Sequence, residues 1–451
     1  MNYLTRHFRF CGSGLLAAIA LTLAGNLTAH AAEEPLTLNQ CLDLAVRQNP
    51  GILKAQAEMR RTHGLIVEAR AEAYPQVVAA GSASVVEDRA LDVMAGTDLY
   101  DNQRHPWNAK IEVTQLLYSG GRVHAGLRAA QLARDIALLG YQRAVADTIL
   151  AVRRNFYQIL LAQALVTVRE QAVTLLETQL KDVRSRFDAG TVPQFNVLRA
   201  EVELANAQPP LIRAQNNLRL AREGLVRLLA LDDPTKQDFT SLRITGQLTA
   251  EPRAWELAPA LAQALDHRPE LKQAAKQVSL YDQAVIAASA GRKPTVALFG
   301  NYGVHEYPFS DNAARTRDGF TVGARVSWPV FDGFLTKGRV QQAQAQRATA
   351  AIDETDARRG VELEVRQAYS DYKQALELLE AQKKTVAAAE ESLRLADSRF
   401  RAGAGTQLDV LSAQTALTEA RSNQIQALYE YNLANATLDR VTGATVHIAK
   451  P

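Results

Sequence analysis

The chain has 451 residues, 47% of them hydrophobic, and its 51 Lys and Arg against 48 Asp and Glu leave a formal net charge of +3. That balance lacks the concentrated basic excess of a nucleic-acid binder. No uninterrupted apolar run of membrane-helix length follows position 32, which excludes a bundle of helices crossing a bilayer.

Residues 1–31 read as a secretory signal. Arg6, His7 and Arg9 form a basic start, Leu15 to Leu23 an apolar stretch, and Ala29-His30-Ala31 a cleavage site. A membrane anchor is the competing reading, and the apolar stretch is short for one. Cys11 precedes that stretch, so it is badly placed to be a lipid-modified first residue. Removal of the signal leaves Cys41 alone, with no internal disulfide to make. Stability must then come from packing and assembly.

The remainder is written twice. Phe156, Phe187, Gly190 and Val197-Leu198 match Tyr369, Phe400, Gly403 and Val410-Leu411 at an offset of 213, which also pairs Tyr118-Ser119-Gly120 with Phe331-Asp332-Gly333. Upstream, Asn49-Pro50 and Tyr74-Pro75 pair with Arg268-Pro269 and Lys293-Pro294 at an offset of 219. A tandem duplication accounts for these matches. It divides the chain into a first repeat at 32–232, a linker at 233–256, a second repeat at 257–443 and a tail at 444–451.

Each copy opens with a helix of moderate length, expected at about 38–73 and 257–291. Two strands follow, at about 76–87 and 107–118 in the first copy and 295–304 and 319–330 in the second. Trp107, Ala109, Ile111 and Val113 alternate with Asn108, Lys110, Glu112 and Thr114; Phe320, Val322, Ala324, Val326 and Trp328 alternate with Thr321, Gly323, Arg325 and Ser327. Such alternation marks a membrane barrel strand. Tyr100, Trp107, Tyr302, Tyr307, Trp328 and Phe331 fall near strand ends, where an interfacial aromatic girdle sits. Surface hairpins lying on a helical core are the competing reading.

A long proline-free helix comes next in each copy, about 122–187 and 335–400. At about 1.5 Å rise per residue each reaches about 100 Å. Apolar residues recur in steps of four and three, as in Leu132, Ile136, Leu139 and in Val365, Tyr369, Tyr372, Leu376, Leu379, the pattern of a coiled-coil seam. A glycine-containing turn leads to a returning helix, about 194–230 and 407–442. Pro209-Pro210 stands where the second copy has Ser422-Asn423, and predicts a kink or break. The linker is expected to wrap the outside of the helical body.

An open sheet of four strands cannot span hydrocarbon, because every backbone polar group there must be paired. Three copies would supply twelve strands, enough to close a barrel, and twelve long helices beneath it. At this point the chain resembles the TolC family of outer-membrane efflux and secretion channels. The resemblance rests on the duplicated plan and on "LLYSGGR", "PVFDGF", "RFDAGT" and "RFRAGA", and covers about Leu36 to Gly443. It implies a mainly α fold with a small membrane β part: a trimeric 12-stranded β-barrel continued by a periplasmic α-helical barrel. It also implies a homotrimer in outer-membrane lipid, docked to a periplasmic adaptor and an inner-membrane transporter. A periplasmic coiled-coil adaptor and a structural spacer are the alternatives.

No catalytic constellation, cofactor motif or metal-ligand spacing is evident, so an enzyme is not expected. Function is expected at the two hairpin turns. The glycines there suit a left-handed helix stop. The resemblance implies that Asp188-Ala189-Gly190-Thr191 and Arg401-Ala402-Gly403-Ala404 meet the adaptor. Asp409 reads as a favourable charge near a helix N-terminus; in a trimer it would also ring a narrow axis, and it resembles the aspartate at the family's constriction. Asn196 occupies the equivalent first-copy position, and Ser412 stands where some members carry a second aspartate. Phe400 and Gly405 replace a tyrosine and an arginine that tie the tips in other members, which implies a resting gate held mainly by coiled-coil packing.

Overall fold

A computed structural model of the protein describes residues 35–84, 107–231, 243–306 and 316–444. The expected signal, its Cys11, the girdle residues Tyr100 and Tyr307, the end of the first strand beyond 84 and the C-terminal tail beyond 444 lie outside the described residues.

Each helix of moderate length is in fact two. In the first copy α1 (Leu38–Gln48) gives way to α2 (Pro50–Ala71), and in the second α5 (Leu257–His267) gives way to α6 (Pro269–Ser289). The cause is local. A residue before proline is pushed out of the helical region, and Asn49 and Arg268 sit at ψ 126° and 122°. Asn49 then caps the new helix, its Oδ1 accepting from the Gly51 amide at 2.8 Å.

Two helical hairpins form the body. α3 (Arg122–Asp188) returns as α4 (Gln194–Leu229), and α7 (Leu335–Arg401) returns as α8 (Gln407–Val441). The two outgoing helices have 67 residues each, so both reach about 100 Å. Each returning helix is little more than half that length, and α2 and α6 pack against the remaining length of α3 and α7. α3 also packs on α6 and α8, which joins the two copies. Within α3 an 18-residue window has a mean hydropathy of 1.4, yet only 22% of it is buried within the protomer.

The proline pair does not break α4, which runs unbroken through Pro209 and Pro210. Two ladder donors are missing there, and the carbonyls they would have served belong to the exposed residues Ala205 and Asn206. Water can satisfy both, so the helix continues past the loss.

Where α8 ends and α6 begins, a partly buried network of charges, with Asp147 and Glu364 at its exposed edge, ties four helices together. Arg440 of α8 reaches Asp147 of α3 at 2.7 Å, Glu270 of α6 at 3.0 Å and Glu364 of α7 at 2.6 Å. Arg268, only 4% exposed, pairs with the same two glutamates at 3.0 and 2.8 Å. Next to Arg440, Asp439 accepts from Arg153 at 2.8 Å and from Arg253 of the linker at 3.0 Å. The described linker begins beside the first copy, where Ile244 bridges to Leu36 and packs near Phe156, and then runs along α8: Trp255 Nε1 donates to Asn435 at 3.0 Å, Tyr431 OH to the Glu251 carbonyl at 2.7 Å, and Tyr372 OH of α7 to the Arg253 carbonyl. Two large apolar clusters flank this level, one around Val365, Leu379 and Leu438, the other around Val152, Phe156 and Leu225.

Four strands cap the helices: β1 (Gln76–Ala83), β2 (Trp107–Tyr118), β3 (Thr295–Glu306) and β4 (Thr316–Ser327). They form one antiparallel sheet in chain order, with no partner for the outer edge of β1 or of β4 among the described residues. The helix entries repeat as well. Ser119 Oγ accepts from the Val123 amide at 3.1 Å, and Asp332 from the Thr336 amide at 2.8 Å.

Removing one partner from a partly buried ion network leaves the others uncompensated. Arg440→Met should therefore cost about 3 kcal/mol of unfolding free energy, read as a lower denaturant midpoint at unchanged m-value. Burial raises the Glu270 carboxyl, but the Arg268 hydrogen bonds and the Arg268 and Arg440 charges outweigh it and hold it below its ordinary value. A depressed folded value stabilises above the unfolded one and is lost as pH falls through it. The midpoint should accordingly drop below about pH 4, and Glu270→Gln should flatten that drop.

Candidate functional site

Strand register sorts the sheet into two chemically distinct faces. Tyr302 lies opposite Phe320 and Ile111, Gly300 opposite Val322 and Val113, and Val296 opposite Val326, with Val77 and Ala79 continuing the row on β1. This face is apolar across all four strands and exposed, with Phe320 80% and Val322 75% accessible. The opposite face carries Asn108, Lys110, Glu112 and Thr114 beside Asn301, Thr321 and Arg325. Lys110 pairs with Glu112 at 2.7 Å, and the Arg325 guanidinium lies 5.0 Å from the centre of the Phe299 ring. At the helix-proximal end Trp328 donates its indole N–H to the Arg292 carbonyl at 3.1 Å; at the other end Tyr302 OH donates to Asp318 at 2.9 Å. Both are amphipathic rings with the polar atom placed at an edge of the apolar band, as at a lipid–water boundary.

At the far end of the long helices the two turns share one geometry. The Gly190 amide donates to the Phe187 carbonyl and the Thr191 amide to the Arg186 carbonyl, at 2.8 and 2.9 Å; Gly403 to Phe400 and Ala404 to Arg399 repeat it at 3.1 and 2.9 Å. These paired bonds close a helix around a left-handed residue, and Gly190 and Gly403 stand at φ 71° and 74°. Asp188, Ala189, Thr191, Arg401, Ala402 and Ala404 project around them, all exposed.

The structure brings together three of the five expected constriction residues. Gly405, Asp409 and Ser412 line one groove of about 810 Å³ between α7 and α8, with Arg399 and Glu391 on its other wall. Asp409 is the third residue of α8 and closes a capping box. Its Oδ2 accepts from the Thr406 amide and hydroxyl at 2.9 and 2.8 Å, and Thr406 Oγ1 accepts from the Asp409 amide at 3.2 Å. The Thr406 bonds, backbone then side chain, with the Arg399 charge behind them, hold the Asp409 carboxyl below its ordinary value. Asn196 sits in the first turn of α4 and does not line that groove.

Phe400 lies elsewhere. It lines a separate cleft of about 770 Å³ between the two hairpins, floored by Leu175, Leu393 and Leu417. There the Arg186 guanidinium of α3 stands 5.2 Å over its ring. The two hairpin tips are therefore joined by a cation–π contact in addition to helix packing, a specific link not named in the expectation of a gate held mainly by coiled-coil packing. The buried apolar cluster at this end, Val386, Leu417 and Ala420, is smaller than those beside Arg440, although Val183, Ala200, Val410 and Leu411 are buried as well. The capping box was readable in advance from threonine and aspartate three residues apart at 406 and 409. Nothing in the sequence pairs Arg186 with Phe400. Among the described residues no group of three or more His, Cys, Asp or Glu could hold a metal ion.

Comparison with known proteins agrees with these features. A family model described as outer membrane efflux protein matches residues 41–231 and 260–444. The outer membrane protein TolC of Salmonella enteritidis is 25% identical over 420 residues, 92% of this chain and 82% of that protein. The cobalt-zinc-cadmium resistance protein CzcC of Cupriavidus metallidurans is 28% identical over 420 residues, 91% of this chain and 90% of that protein. Among solved structures, the CmeC outer membrane channel of Campylobacter jejuni superposes with a TM-score of 0.78 at 15% identity, over 90% of this chain and 86% of that one.

The cap at Asp409 gives a local prediction. Thr406→Ala should speed hydrogen exchange of the first α8 amides roughly fivefold, while exchange in the turn around Leu438 stays unchanged. Equal protection at 407–410 in both proteins would show that the box does not hold this end.

Proposed function

The chain belongs to the outer membrane efflux protein family, and on that premise we propose that three copies close into the exit duct of a tripartite efflux pump or type I secretion system. The carrying observation is the sheet: apolar on one side, polar on the other and open at both edges. Hydrocarbon accepts such a sheet only when its edges are paired. Closure by three protomers gives twelve strands around a polar lumen, and the helical layers continue that lumen into the periplasm. The protein is located in the outer membrane and conducts passively. Energy comes from an inner-membrane transporter.

In this reading the exposed residues around Gly190 and Gly403 meet a periplasmic adaptor. Asp409, repeated three times about the axis, sets a cation preference at the periplasmic end, with Gly405 and Ser412 beside it. Phe400 serves instead as the inter-hairpin link. Opening separates the tips while the charged level around Arg440 stays fixed, and an adaptor that binds the open arrangement better shifts the population towards it.

Fractionation tests the assembly: the protein should be recovered with the outer membrane as a trimer that resists SDS until boiled. A soluble monomer or dimer would refute the duct and favour a spacer. In planar bilayers, Asp409→Ala should lower cation preference in a salt gradient while the trimer persists; unchanged selectivity would remove Asp409 from the constriction.

A further inference from the structure

Arg325, on the polar face of the sheet, makes no ion pair among the described residues and rests on Phe299. Lys110 and Glu112 satisfy each other at 2.7 Å, and Arg325 reaches Glu112 only as a weak through-space charge. Its seat is built. Phe299 lies opposite Gly323, where even a Cβ would come within 2.8 Å of the ring, so only glycine lets the ring lie flat against the wall. The guanidinium is held over it, exposed, two residues before β4 ends at Ser327. If copies join in strand order, the free edge of β4 meets β1 of the next copy. The β1 residues on this face are Gln76, Val78, Ala80 and Ser82, none of them charged.

We propose that Arg325 determines selectivity for anions. Resting on the closed barrel argued above, its three copies form a cationic ring where the barrel meets the helical tube, and draw small anionic solutes (carboxylates, phosphates, sulfonates) through that level. A cation seated on an aromatic ring keeps its full charge for the passing solute, whereas a carboxylate partner would cancel it. The duct then presents opposite signs in series, carboxylate at the periplasmic tips and guanidinium at the barrel base.

The test reads local potential without requiring the tips to open. Cys11 lies in the expected signal and leaves with it, and Cys41 is fully buried, so in the processed protein a cysteine introduced at the wall reports alone. In the reconstituted trimer at low salt, Ser327→Cys, on the same face two residues from Arg325, is labelled with a sulfonate-bearing and a trimethylammonium-bearing methanethiosulfonate. The sulfonate-to-ammonium rate ratio should fall at least about threefold when Arg325→Gln is added. An unchanged ratio overturns the anion ring and leaves the duct standing. Thr321→Cys and Val322→Cys, neighbours on opposite faces, check the duct itself: the first should react far faster. Equal rates would overturn the closed barrel and the ring with it.

Discussion

A backbone amide in hydrocarbon has no water to turn to, and the architecture answers that constraint. The sheet is too narrow to close on itself, yet its apolar face spans all four strands, and its outer edges have no strand partner among the described residues. Such a surface is unstable both as a lone subunit in water and as a lone subunit in lipid. Association is therefore part of folding. The alternation of chemistry across the strands then decides which side meets lipid and which encloses solvent.

Beneath the sheet, stability is distributed unevenly along rods of about 100 Å. Near Arg440 the helices are joined by shared carboxylates, by the linker hydrogen bonds and by the large apolar clusters. Towards the turns the buried residues (Val183, Ala200, Val410, Leu411) form no large cluster like those near Arg440, and the buried Gln407 and Gln414, seven residues apart on α8, leave their amide nitrogens without a partner among the described residues. Each such group costs about 1–3 kcal/mol relative to a satisfied one. A rigid middle and a loosely held end are what a gate at the tip requires, since movable segments come from the less stable part of a structure.

The long helices, the strand alternation and the duplication were legible because each follows a period or an offset that a single chain displays. The positions of the hairpin glycines were legible for the same reason. Asn49-Pro50 and Arg268-Pro269 were visible as repeat markers, but their meaning as helix breaks depended on a one-residue change of ψ. At Pro209-Pro210 the break that the pair allowed does not occur, because exposure of the freed carbonyls let α4 continue. Within the candidate site, Asp409, Gly405 and Ser412 share a groove as their spacing on one helix end allows, whereas Phe400 turns to the other side of α7 and meets Arg186. The Arg440 network was illegible: its members look like ordinary surface charges until four helices converge.

Asp439 and Arg440 stand near the last described residue, yet they bind Asp147 and Arg153 of the first copy and Arg253 of the linker. Until Asp439 and Arg440 have been synthesised, the level they tie together has no keystone. A product cut short before Asp439 would keep both outgoing helices and yet lose the charges that lock the first copy to the second.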